Sequence, residues 1–191
     1  MAPTRKAVFG QLGPVCRLGL ATRGNTALTR SDVLAAIERG VDYLNWCGHA
    51  DGMSAAVKEL GPRRADVKVA VQIGARTASA CRREIDEALR QLGTSYVDVA
   101  SYYYVEERGE WDQIVAPGGA AEALEEAKAA GRVRCIGLTS HQRRLAAEIA
   151  ETGRLGDLVG AVDDREALLA DDDNFRLAVG EYAEIVRQRE R

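Results

Sequence analysis

No run of about 18 consecutive apolar residues occurs in the chain, so the sequence offers no candidate for a membrane-spanning helix. The start, Met1-Ala2-Pro3-Thr4-Arg5-Lys6, leads into no apolar signal region, and secretion is not expected. Paired cysteines are missing too. Cys16, Cys47, Cys81 and Cys135 lie far apart, with no C-x-x-C and no histidine at ligand spacing, which argues against a zinc site or a disulfide framework. They read as free thiols, mostly inside apolar runs where a thiol behaves as a small hydrophobe. A large excess of one charge is absent as well: the formal net charge is −3, with 29% charged and 46% hydrophobic residues. That balance gives nucleic acid or an anionic membrane no basic surface to bind. The composition is thus that of a globular protein expected in the cytoplasm, without a resident metal.

What the sequence does have is a rhythm. Its 191 residues suffice for a sizeable core, and short β-branched or aromatic runs alternate with segments of helical period, the pattern of parallel βαβ architecture. The expected strands are Val15 to Ala21, after a hairpin from Ala7 to Gly13, then Asp42 to Cys47, Val67 to Ile73, Tyr96 to Val105, Val133 to Leu138 and a short Leu158 to Val162. Between them, helices are expected from Thr29-Arg30-Ser31-Asp32 to Gly40, Met53 to Leu60, Ala80 to Leu92, Ala120 to Ala130 and Arg143 to Thr152. Thr29 and Asp32 have capping-box spacing, Gly61-Pro62 is a glycine-then-proline stop, and Ile85, Leu89 and Leu92 make one apolar stripe. Glu106 to Gly119 reads as a longer loop, with Gly118-Gly119 a plain helix entrance, since the spacing of a phosphate-binding glycine motif is missing.

After Val162 the rhythm stops. Asp163-Asp164 and Asp171-Asp172-Asp173 form an acidic linker, and Phe175, Ala178, Tyr182, Ile185 and Val186 recur at helical spacing. Two regions are thus expected: residues 1–162 as the βα part, and residues 163–191 as a linker and C-terminal helix packed on it.

Four segments carry a resemblance. Cys16-Arg17-Leu18-Gly19-Leu20-Ala21-Thr22, Arg39-Gly40-Val41-Asp42-Tyr43-Leu44-Asn45, Leu89 to Asp98 and Gly131 to Ser140 resemble, in order and spacing, strand motifs of the aldo-keto reductases. Asn45-Trp46-Cys47-Gly48-His49, Tyr103-Tyr104-Val105-Glu106, Glu110-Trp111 and Thr139-Ser140-His141-Gln142-Arg143 are similar to a bacterial subgroup of that family. The resemblance implies α/β units of a TIM-type barrel with about six parallel strands, incomplete because this chain turns acidic where such proteins continue. It also implies NADP as cofactor, with its phosphates held by residues after the sixth and seventh strands, which have no counterpart here.

The family's reaction implies a tyrosine proton donor tuned by a lysine, an aspartate and a histidine at the carboxyl ends of barrel strands. Matched to this sequence, the aspartate is Asn45, the tyrosine falls near Ala50, and the lysine falls near Gly74 or Ala75 with Arg76 the nearest cation. The histidine, five residues after Asp98, is Tyr103. All four are altered, yet Asn45, His49, Arg76, Tyr103 and His141 are expected at one rim as candidate catalytic groups, histidine being suited to proton transfer near neutral pH. Thr139 and Ser140 match the positions where the family binds the nicotinamide carboxamide, and Thr22 and Gln142 are further cofactor candidates. Tyr102-Tyr103-Tyr104 reads as a buried strand with hydroxyls at the wet rim or as a stacking platform, and Glu110-Trp111 as pocket lining or a surface anchor.

Three functions follow from these expectations: an NADP-dependent reductase of a small carbonyl compound with an altered tetrad, a non-catalytic binding or scaffold protein, and a lyase or isomerase that needs no nicotinamide. Open strand edges lead to the further expectation that two copies pair, or that the Phe175 to Val186 helix covers the gap.

Overall fold

A computed structural model of the chain describes residues 6–22, 27–152 and 177–179. Strands with near-continuous apolar sequence need cover on both faces, and here each is followed by a helix that supplies it. The strands and helices are β1 (Lys6–Val8), β2 (Pro14–Cys16), β3 (Leu20–Ala21), α1 (Arg30–Glu38), β4 (Tyr43–Trp46), α2 (Gly52–Glu59), β5 (Lys68–Ile73), α3 (Ala78–Leu92), β6 (Val97–Tyr102), α4 (Arg108–Val115), α5 (Ala120–Ala129), β7 (Val133–Ser140), α6 (Arg143–Glu151) and β8 (Leu177–Val179).

The main sheet has the order β3-β4-β5-β6-β7-β8. Neighbours from β3 to β7 are parallel, as right-handed βαβ crossovers require, and among the described residues the sheet is open. Period-two alternation divides its faces. Leu44, Trp46, Val69, Val71, Ile73, Ala100, Tyr102, Ile136 and Leu138 pack against the helices, in one cluster with Val33, Met53, Ile85, Leu92, Leu124 and Ile149. Tyr43, Ala70, Val99 and Cys135 face the other way, into the concave side.

The first expected strand is corrected. Val15 to Ala21 is two pieces: Pro14–Cys16 pairs antiparallel with Lys6–Val8, and only Leu20–Ala21 joins the parallel sheet. The cause is packing. Phe9 and Val15 close the amino-terminal end of the concave side against Tyr43, Ala70, Val99 and Cys135, Phe9 meeting the Tyr43 ring edge to face at 5.7 Å. Asp42 fixes the hairpin, accepting from Lys6 Nζ at 2.7 Å and from the Cys16 backbone N–H.

Two further corrections concern connections. The expected loop from Glu106 to Gly119 contains α4, whose Trp111 and Ile114 are buried. Glu110 drives it: Oε2 accepts from the backbone N–H of Glu106 at 2.7 Å and of Glu107 at 3.1 Å, satisfying donors that a helix start leaves open. In the tail, the helix expected over Phe175 to Val186 is interrupted by Leu177–Val179, which pairs antiparallel with Leu138 to Ser140, so the sixth member of this sheet runs opposite to the other five. An unpaired strand edge offers backbone hydrogen bonds that helical spacing alone does not weigh. The rest of that expected helix, and the expected strand Leu158 to Val162, lie outside the described residues.

Elsewhere the expected elements are present within a few residues. Thr29 caps α1 in a reciprocal box with Asp32. Gly93, at φ +60°, closes α3 in the left-handed conformation that glycine adopts without cost. Gly118-Gly119 is the entrance to α5, and a Cβ on Gly119 would lie 2.2 Å from the Ile114 carbonyl oxygen.

At the amino-terminal end of β6, Asp98 is fully buried and accepts from Arg64 at 2.9 Å, from Arg134 at 2.9 Å and from the Val69 N–H at 2.9 Å. Both guanidiniums also lie on the Tyr96 ring, at 4.4 and 4.1 Å from its centre. A buried carboxylate is tolerated only with such partners, and this one ties the segment before β5 to β6 and β7.

Candidate functional site

The carboxyl ends of parallel strands are where barrel enzymes place their chemistry, and the sequence becomes polar there on the concave face. Register puts Asn45 beside Ala70, Gln72 beside Ser101, and Ser101 beside Gly137, two residues before Thr139. Asn45, Gln72, Ser101 and Thr139 thus share the concave face with Tyr43, Ala70, Val99 and Cys135 and lie towards its carboxyl end, Asn45 level with Ala70, Gln72 level with Ser101, and Thr139 one step beyond them. Thr22, just past β3, is 3% exposed and its Oγ1 has no hydrogen-bond partner, a buried hydroxyl that costs about 1–3 kcal/mol to leave unpaired.

Arg76 holds the rim together. One terminal nitrogen donates to the Tyr103 carbonyl at 2.8 Å, the Tyr104 carbonyl at 3.1 Å and Glu110 Oε1 at 3.1 Å, and the other donates to the Gly74 carbonyl. It therefore braces the loop after β6 against α4 and the end of β5. Burial works to raise the Glu110 carboxyl, but the hydrogen bonds from the Glu106 N–H, Arg76 and the Glu107 N–H outweigh it and hold the group below the ordinary carboxylate range. Trp111 anchors the same helix, 3% exposed and edge to face with Tyr102 at 5.9 Å. Glu110 and Trp111 are thus anchors of this loop.

Three rings follow in a row above the brace. Tyr103 and Tyr104 stack at 3.9 Å with 20° between planes, and Tyr104 meets the His141 ring at 4.6 Å. Consecutive side chains stack this way because Tyr104 has φ +46°, the only positive φ outside glycine among the described residues. Such a backbone costs about 1–3 kcal/mol and persists where surroundings impose it. Here Thr139 Oγ1 accepts the Tyr104 N–H at 2.9 Å, while the Thr139 carbonyl accepts the Val105 N–H at 3.0 Å. His141 is held from the other side by Glu106, whose Oε1 accepts the His141 backbone N–H at 2.9 Å and lies 3.1 Å from Nδ1.

The other expected residues divide between this cluster and its margins. Ser140 is buried and its hydroxyl accepts the Gln142 N–H at 2.9 Å, so it shapes the turn into α6, where Gln142 is the N-cap. His49 is exposed on the turn after β4, its carbonyl accepting Trp46 Nε1–H at 2.8 Å. Asn45 lies on β4, level with Ala70 on β5. The structure therefore brings Arg76, Tyr103, Tyr104, Thr139 and His141 together, with Asn45 further down the concave face and His49 at the margin.

Sequence reasoning missed Gln72, Ser101 and Glu106. The first two were within reach, because alternation along β5 and β6 sends them to the face opposite Val71, Ile73, Ala100 and Tyr102. Glu106 stood in a segment that carried the resemblance, but its pairing had no local signal, since its partner is 35 positions away.

The family model described as the aldo/keto reductase family matches residues 53–159, more than half of the chain. The chain belongs to this family. Solved aldo-keto reductases agree at the level of fold. One from Bacillus halodurans in its holo form is 21% identical, with a TM-score of 0.63, over 77% of this chain and 54% of that one. One from Klebsiella pneumoniae, in complex with NADPH, is 18% identical at a TM-score of 0.63 over 78% and 53%. Another from Klebsiella pneumoniae, in complex with NADP and acetate, is 20% identical at a TM-score of 0.56 over 71% and 50%. This aldo/keto reductase chain thus spans about half the length of the solved structures it matches, and the five parallel strands of its described residues correspond to part of their barrel. No helix among its described residues is long and apolar enough to cross a membrane.

Proposed function

We propose that this chain carries the substrate side of an NADPH-dependent reductase site for a small carbonyl compound, with the family's tetrad replaced. The observation that carries the reading is the set of polar side chains Asn45, Gln72, Ser101 and Thr139 on the concave face towards the carboxyl ends of the parallel strands, with the stacked Tyr103, Tyr104 and His141 rings beside Thr139 at the rim. The residues present fit the nicotinamide end of such a cofactor, since Thr22 Oγ1 is a buried hydroxyl without a partner at the same rim. When bound, the nicotinamide would supply hydride. Thr22, Gln72 and Thr139 would hold its carboxamide end, Asn45 would hydrogen-bond without charge where the family has an aspartate, and the rings would exclude water from the carbonyl. Ser140 and Gln142 would serve indirectly, by setting the turn after β7.

The proton is a matter for Tyr103 and His141. Arg76 is ill suited, because a guanidinium keeps its proton at any working pH and this one is engaged by four acceptors. We place the protein in the cytoplasm, as a pair of copies. Support for pairing is the free edge of β3 among the described residues, with Leu18 exposed two residues before it.

The test is NADPH oxidation by the purified chain with a panel of small aldehydes and ketones, read as loss of nicotinamide absorbance. Slow, protein-dependent oxidation with at least one of them is expected. A second reading, a non-catalytic binding protein, is favoured by the engagement of Arg76 and Ser140 in local structure; nucleotide binding without turnover on any substrate would select it.

A further inference from the structure

The Glu106 and His141 pair has a consequence for where a proton can sit. A carboxylate only accepts hydrogen bonds, so an imidazole nitrogen 3.1 Å from Glu106 Oε1 must be the one that carries hydrogen. That nitrogen is Nδ1, which leaves Nε2 as the atom that gains and loses a proton. We infer that Glu106 is a positioning residue that fixes the His141 tautomer, making His141 Nε2 the proton-exchanging atom at the carboxyl end of β7. The inference rests on the reductase reading for its reaction, though not for its geometry.

Several features converge on this one ring. Glu106 Oε1 accepts both the His141 backbone N–H and Nδ1–H, so the carboxylate sets the rotation of the side chain as well as its tautomer. Tyr104 packs against the ring at 4.6 Å with 46° between planes, in a backbone conformation that Thr139 holds. Glu106 is itself held, because its N–H donates to Glu110, which Arg76 braces. The chain Arg76, Glu110, Glu106, His141 thus runs from the end of β5 to the end of β7.

Magnitude separates positioning from stability. His141 and Glu106 are 41% and 30% exposed, and pairs so open to water contribute about 0–1 kcal/mol. The Glu106–His141 contact thus adds little to stability, and what it does fix is the orientation of the ring. With a reduced nicotinamide bound to supply hydride, His141 as imidazolium would give its Nε2 proton to the carbonyl oxygen and become neutral imidazole, while Nδ1 would keep its hydrogen, bonded to Glu106.

The test uses the full chain with ¹⁵N-labelled histidine, and His49 serves as the internal comparison because it too is exposed beyond a strand end. At a pH where both rings are neutral, His141 is expected in the Nδ1–H tautomer and His49 in the mixture of an ordinary exposed histidine. Glu106→Ala should return His141 to that mixture, and Glu106→Gln, which keeps an acceptor oxygen, should restore the single tautomer. Carboethoxylation of His141 by diethyl pyrocarbonate should slow severalfold in Glu106→Ala only. A mixed or Nε2–H tautomer for His141 in the unaltered chain overturns the inference, as does a tautomer indifferent to Glu106→Ala. With 4-nitrobenzaldehyde and NADPH, Glu106→Ala should lower kcat about tenfold with little change in KM, and His141→Ala should lower it further; equal kcat in all three proteins also overturns it. Failure of the chain to bind NADPH would sink the reductase reading alone, while the tautomer result would still decide the pairing.

Discussion

Arg76 donates to the Tyr103 carbonyl at 2.8 Å, and that bond joins the end of β5 to the loop that carries the aromatic stack. The same guanidinium reaches Glu110, so one side chain fixes both walls of the rim. Lysine at this position keeps the charge but has neither the reach nor the planar fork for these acceptors. Arg76→Lys should destabilise the protein by about 1–3 kcal/mol, the cost of leaving partly buried hydrogen-bonding groups unpaired. Urea unfolding followed by circular dichroism measures it, with Arg83→Lys as the exposed control.

How much of this was legible beforehand depended on whether the determining partner was near in sequence. Thr29 capped by Asp32, Gly93 closing α3 and the Ile85, Leu89 and Leu92 stripe are local events, and each was read from spacing. The split of Val15 to Ala21 turns on Phe9 packing against Tyr43, and the strand at Leu177–Val179 on an edge at β7; neither partner is visible from the segment itself. In the site, the strand motifs located Asn45, Tyr103, Thr139 and His141, whereas Arg76 as a brace and Glu106 as its beneficiary needed the fold.

Asp98 offers a sharper stability test. Removing it would leave Arg64, 7% exposed, without its carboxylate, and breaking one side of a buried ion pair costs about 3–5 kcal/mol. Asp98→Ala should lower the unfolding free energy measured in urea by that amount or prevent soluble expression, whereas Asp112→Ala should be nearly neutral.

Acid should loosen the rim before the core. Because the folded Glu110 carboxyl lies below its ordinary range, its contribution is fully present above the unfolded value of about 4.3 and is lost as pH falls through the lower folded value. Trp111 fluorescence should change on that descent. Glu110→Gln should already show the loosened signal at neutral pH and add little change in acid; an acid response identical to that of the unaltered chain would contradict the assignment.

The thiols should divide in two. Burial pushes the Cys81 thiol up to about 12, and Cys135 is also buried, while Cys16 and Cys47 are half-buried. An aromatic disulfide reagent at neutral pH should modify only Cys16 and Cys47 in the native chain and all four thiols in guanidinium, as read by mass spectrometry.

Pairing through the β3 edge makes a prediction about concentration. Sedimentation velocity should show a dimer that dissociates on dilution, and Leu18→Asp, placing a charge on an exposed apolar position beside that edge, should shift it to monomer. A single monomeric boundary at every concentration would remove the pairing from the account.

The most direct test of the central claim, that this part of an aldo/keto reductase barrel still presents a nicotinamide site, is a titration of the purified chain with NADPH followed by nucleotide fluorescence. A saturable change, weakened at least severalfold by Thr22→Val, is the predicted result, and no binding at millimolar NADPH would contradict it.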